Sequence, residues 1–62
     1  MSVRVVVRSR SGGGIEVFSR VPCMGEKIKL RGRSEPFYVL DVIHISQVNA
    51  PPDLPVAEVF VE

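Results

Sequence analysis

The run Val3-Arg4-Val5-Val6-Val7-Arg8, the turn signal Ser11-Gly12-Gly13-Gly14 and the run Ile15-Glu16-Val17-Phe18-Ser19-Arg20-Val21 read as two strands joined by a tight reversal. Val3, Val5 and Val7 alternate with Arg4, Val6 and Arg8, the period of two that marks a strand with one buried face. Glycine accepts the positive φ values that tight turns require, so a hairpin is expected here. If the inward valines of both strands are to match, Val7 faces Val17 and Val3 faces Val21 inside. The same register sets Arg8 against Glu16, and Val6 against Phe18, outside.

Beyond the hairpin, Pro22 and Gly25 end one strand and re-aim the chain. Lys27-Ile28-Lys29-Leu30-Arg31 reads as a short third strand with Ile28 and Leu30 inward and three cations outward. Gly32 to Pro36 turns the chain into Phe37 to Ser46, where alternation slips. Val39, Ile43 and Ile45 share one parity, while Tyr38, Leu40, Val42 and His44 share the other. A bulge or sharp bend near Asp41 would let both sets serve a curved core. Gln47 to Pro55, with three prolines, is a rigid loop, and Val56 to Glu62 closes the chain with Ala57, Val59 and Val61 on one face. The expected core is Val17, Ile28, Leu30, Val39, Ile43 and Val59, with Tyr38 lining it and its hydroxyl at the surface.

Composition points the same way. Val and Ile supply 16 of the 62 residues and Ala and Leu together 5, a bias toward pleated sheet over helix. An apolar fraction of 45% is too high for disorder, and no apolar run is long enough to span a bilayer. One domain covering residues 1–62 is expected. No charged and apolar leader follows Met1, so a cytoplasmic location without membrane contact is the default expectation. The single Cys23 offers neither an internal disulfide nor a thiolate zinc site. Stability must then come from packing, helped by any partner chain.

Five short strands and no helix describe an all-β fold, a small five-stranded barrel. An OB-fold usually places a helix between its third and fourth strands, and Gly32 to Pro36 is too short to hold one, which favours an SH3-like barrel. The pattern Pro22-x-x-Gly25-Glu26-x-Ile28-x-Leu30, then Phe37-Tyr38-Val39-Leu40-x-Val42-x-His44, then Ala57-x-Val59-x-Val61 resembles small uncharacterised SH3-like barrel proteins of bacteria and their mobile elements, phages included. The resemblance spans Val21 to Val61 and implies a fold without a defined activity. Such barrels serve as nucleic-acid binders, subunit adaptors and assembly modules alike.

Chemistry-bearing residues are few. Cys23, Asp41 and His44 offer nucleophile, orienter and base types for a triad, which is defined by geometry and not by order. The bland reading is a semi-buried small hydrophobe at Cys23 and a solvated His44 at a strand end. His44 with Asp41 lacks a third metal ligand at suitable spacing. Gly12-Gly13-Gly14 is followed by a strand, whereas phosphate cradles need a helix whose N-terminus faces the phosphate. The expectation is a non-enzymatic protein with no metal and no cofactor.

The net charge of +1 conceals a division of the chain. All eight cations lie within residues 1–33 against only Glu16 and Glu26, giving +6, while residues 34–62 hold five acids and no cation, giving −5. Two readings stand. In one, Arg4, Arg8, Arg20, Lys27, Lys29 and Arg31 form a basic face for nucleic acid, with Phe18 as a stacking platform. In the other, Glu58 and Glu62 on a last strand beside the first neutralise Arg4 and Arg8. Outward parity also collects Val6, Phe18 and Phe60 into an apolar row rimmed by charge, the pattern of a contact patch. The leading expectation is therefore a module acting through protein contacts, with a protein partner or as a homo-oligomer, and nucleic-acid binding is the alternative. A sequence pI near 8.0 is modest for the latter.

Overall fold

A computed structural model describes residues 1–62. The protein is all-β: β1 (Val3–Ser9), β2 (Gly12–Phe18), β3 (Lys27–Ile28), β4 (Phe37–His44) and β5 (Ala57–Val61), with no helix. They form one sheet in the order β2-β1-β5-β4-β3. The sheet curls strongly into a half-barrel. Hairpin partners β1 and β2 are antiparallel, as are β4 with β5 and β3 with β4, whereas β1 and β5 run parallel. The last strand thus lies beside the first, as expected, and the open edges are β2 and β3.

The first hairpin turns earlier than the glycines suggest. Ser9 pairs with Gly12 around Arg10-Ser11, and Gly12 takes φ +130° immediately after the turn. The triple glycine therefore lies inside β2. This register sets Val3 against Phe18, Val5 against Glu16, Val6 against Ile15 and Val7 against Gly14. Directly paired residues share a face, so the expected register is off by an odd number of residues and every β2 side chain is reversed. Phe18 packs on the core, and Val17, expected inside, is 60% exposed.

The irregularity expected near Asp41 is present. Val39 pairs with Val61 and Asp41 with Phe60, leaving Leu40 as the extra residue of a bulge. Before it the odd residue Val39 is buried; after it the even residue Val42 faces Val59 and packs against the core. Both parities do contribute. The same shift turns Ile43 outward beside Glu58, and it is exposed rather than buried. Tyr38 is likewise exposed, opposite Lys27, whose ammonium sits 5.3 Å from the ring centroid.

β3 is two residues long because the chain turns away after it, with the Arg33 N–H donating to the Leu30 carbonyl. Pairing continues upstream instead: the Gly25 N–H donates to the Val39 carbonyl, and the Val39 N–H to the Glu26 carbonyl. The core is Val5, Val7, Ile28, Val39, Ala57, Val59 and Val61, flanked by half-buried Leu30, Phe37 and Phe18 among others. Each buried valine stabilises the fold by about 1.5–3 kcal/mol. Such a small set supports only the modest stability expected of a short chain.

Candidate functional site

Pairing across the sheet defines what the outer face presents. Ile15 on β2 stands opposite Val6 on β1, Val6 is paired with Glu58 on β5, and Glu58 with Ile43 on β4. Paired residues share a face, so this is one row across four strands. Val17 lies beside it opposite Arg4, and Phe60 lies between Arg8 and Asp41 in the adjacent row. Ile15 is 52% exposed, while Val6 and Phe60 are half-buried. The expected apolar row thus keeps Val6 and Phe60, loses Phe18 to the core side, and gains Ile15, Val17 and Ile43. Reversed parity on β2 concealed Ile15 and Val17, and the bulge at Leu40 concealed Ile43. Their β-branched side chains were the available signal.

The cations are distributed by the topology. β3 lies at the edge opposite β2, so Lys27 and Lys29 do not continue a face begun by Arg4 and Arg8. Three strands consecutive in sequence are not consecutive in the sheet, and the single basic face is not assembled. Arg8 Nε lies 3.2 Å from Glu58 Oε1, the cross-strand pair expected of the last strand. Glu62 forms no such pair with Arg4, because parallel strands put Arg4 beside Val56 at the far end.

Arg20 is also committed locally. Its guanidinium forms a two-pronged contact with the Glu26 carboxylate, Nη1 at 2.8 Å, and Nη1 donates to the Val21 carbonyl. Glu26 in addition accepts the Cys23 N–H. Together these contacts tie the β2–β3 connection into a closed loop. The side-chain hydrogen bond from Arg20, followed by the Cys23 N–H, lowers the Glu26 carboxyl from 4.5 to about 2. The same hydrogen bond and the charge of Glu26 raise the Arg20 guanidinium above its ordinary value. Arg4, Arg10, Lys27, Lys29, Arg31 and Arg33 have no ion-pair partner.

The three triad types are not brought together on one face. Asp41 pairs with outward Phe60 and His44 with buried Ala57, so the two point to opposite sides of the sheet. Asp41 accepts its neighbour Val42's N–H, and Cys23 is exposed in the β2–β3 loop. No group of three His, Cys, Asp or Glu side chains is placed to hold a metal ion. No helix is long and apolar enough to cross a membrane.

One of several concavities lies along β2. Between the open edges, Gly14 and Glu16 of β2 face Leu30, Arg31, Arg33 and Phe37 across a cavity of about 310 Å³ floored by Val7. Comparison with family models, with curated proteins and with solved structures finds no match for this chain.

Proposed function

We propose that this chain is a non-catalytic SH3-like binding module that works through protein contacts made by the outer face of β1 and β2. The observation that supports this reading is the placement of Ile15 and Val17, both more than half exposed, beside Val6 on one face of an edge hairpin. Large β-branched side chains in a contiguous exposed group are costly to hydrate and are covered on association. The Arg4 and Arg8 side chains supply a polar rim, as protein interfaces commonly have. Self-association through this face is the simplest form, because the exposed Ile15 and Val17 of one copy can be covered by the same residues of another.

Light scattering coupled to size exclusion tests it. Ile15→Ser with Val17→Ser should shift the protein toward monomer without loss of the folded signal. An unchanged assembly state, together with unchanged capture of binding proteins, would remove the outer face from consideration. A random oligonucleotide added at low salt addresses the alternative. The unpaired cations favour some affinity there, and Lys27→Ala with Lys29→Ala should then flatten the dependence of log affinity on log salt by about 0.7–0.9 per lost phosphate contact.

A further inference from the structure

The half-barrel is left open by particular residues. Positions of β2 that face inward are Gly12, Gly14, Glu16 and Phe18, the partners of Ser9, Val7, Val5 and Val3. Two of these four are glycine, so β2 projects little side chain into the seam, and nothing lies within 4 Å of where a Gly14 Cβ would stand. On the other wall β3 is too short to reach β2, and the chain turns off at Leu30. The Arg20–Glu26 pair fixes the connecting loop at one end of the gap. β2 consequently has a hydrogen-bonded neighbour on one side only along its seven residues. Its other backbone edge borders the cavity.

We propose that this seam binds an extended peptide segment of a partner protein, added as a further strand on the β2 edge, with acidic side chains of the peptide held by Arg31 and Arg33. Strand addition provides main-chain hydrogen bonds, and pockets for alternate side chains give selectivity. An apolar residue of the peptide would lie against the half-buried Leu30 and Phe37, where the glycines leave space. Arg31 and Arg33 line the same cavity, have no carboxylate partner in the protein, and match a carboxylate in geometry and charge. Glu16 is the one acid in the lining, so the peptide residue nearest β2 there is neutral or basic. A nucleic-acid strand fits less well: Phe37 is half-buried, the exposed Tyr38 lies under Lys27 outside the cavity lining, and Glu16 repels phosphate. The inference rests on the protein-contact reading but uses a surface separate from the outer face.

The test is fluorescence anisotropy with a labelled seven-residue peptide of alternating Val and Glu, matched to the length of β2. Controls are the Val/Lys version and a version with a central Pro, which removes a ladder hydrogen bond. The acidic peptide should bind, the basic one should not, and the Pro version should bind about tenfold more weakly or worse. Arg31→Ala with Arg33→Ala should weaken binding by about tenfold or more. Gly14→Leu should fill the cavity and abolish binding while the thermal melt is retained. Should Gly14→Leu fail to fold, amide shifts of the wild-type protein on adding peptide decide the matter, with perturbation expected along Gly12–Phe18. Ile43→Ser, in the outer row but on β4 and away from the seam, should leave peptide binding intact, which separates failure at the seam from failure at the outer face. Absence of binding, binding indifferent to Arg31, Arg33 and Gly14, or an oligonucleotide that binds in the same place more tightly than the peptide would overturn the proposal.

Discussion

Phe18 stands directly opposite Val3 across the first hairpin, and its ring packs against the valine core, while its neighbour Val17 faces solvent opposite Arg4. Two adjacent apolar residues of one strand therefore have opposite duties. One supplies core area, and the other is available for contact.

Truncation separates them. Phe18→Ala should cost about 2–3 kcal/mol, less than a fully buried ring because Phe18 is only half covered. Val17→Ala should stay within about 0.5 kcal/mol. Denaturant unfolding of both variants checks this, and equal losses would show that β2 presents a different face to the core.

The adjacent glycines Gly13 and Gly14 should answer to alanine in opposite directions. A Cβ on Gly13 would sit 2.5 Å from the Val7 carbonyl oxygen and 3.2 Å from Arg8 Cα, both backbone atoms that cannot yield without moving β1. Gly13→Ala should cost about 1–3 kcal/mol. Gly14 has open space around it and no positive φ, so Gly14→Ala should stabilise by about 0.4–1 kcal/mol through the unfolded chain. For a domain of this size each kcal/mol moves Tm by roughly 4–8 °C, which calorimetry resolves.

The bulge at Leu40 makes a comparable statement on β4. Val42→Ala should cost about 1–2 kcal/mol because its side chain packs against the core, whereas Ile43→Ala should cost less than about 1 kcal/mol although it removes more carbon. Reversal of that order in chemical denaturation would mean the extra residue lies elsewhere on the strand.

Acid should loosen the β2–β3 connection through Glu26. Its carboxyl sits at about 2 in the folded protein against an ordinary 4.5, so between those values the unfolded chain holds more protons. The stabilisation is fully present above about 4.5 and is lost as pH falls toward 2. Wild type should therefore exceed Glu26→Gln in Tm at neutral pH, with the gap narrowing through that acid window. A gap that persists undiminished at pH near 2 would assign the difference to packing and not to the charged hydrogen bond with Arg20.

Much of the architecture was legible along the chain because strand periodicity and turn residues are local properties. The β-branched composition, the alternation of Val5 and Val7, and that of Ala57, Val59 and Val61 announced five strands without a helix, and these five residues are all buried. The slip in parity between Val39 and Val42 announced a bulge. Register was not legible. Whether the turn is Arg10-Ser11 or the triple glycine changes the pairing by an odd number, and such a change exchanges the faces of Phe18 and Val17 while leaving their sequence pattern identical.

The strands and the separation of charge into a basic and an acidic half follow from the chain alone, since both are carried by neighbouring residues. Which cations share a surface depends on how the strands are ordered in the sheet. Sheet order places β5 and β4 between β1 and β3, so Arg8 meets Glu58, and Arg31 and Arg33 come to the open seam beside Gly14. Those meetings join residues far apart in the chain, and the curl of the sheet, which follows from twist and a bulge, is what brings them together.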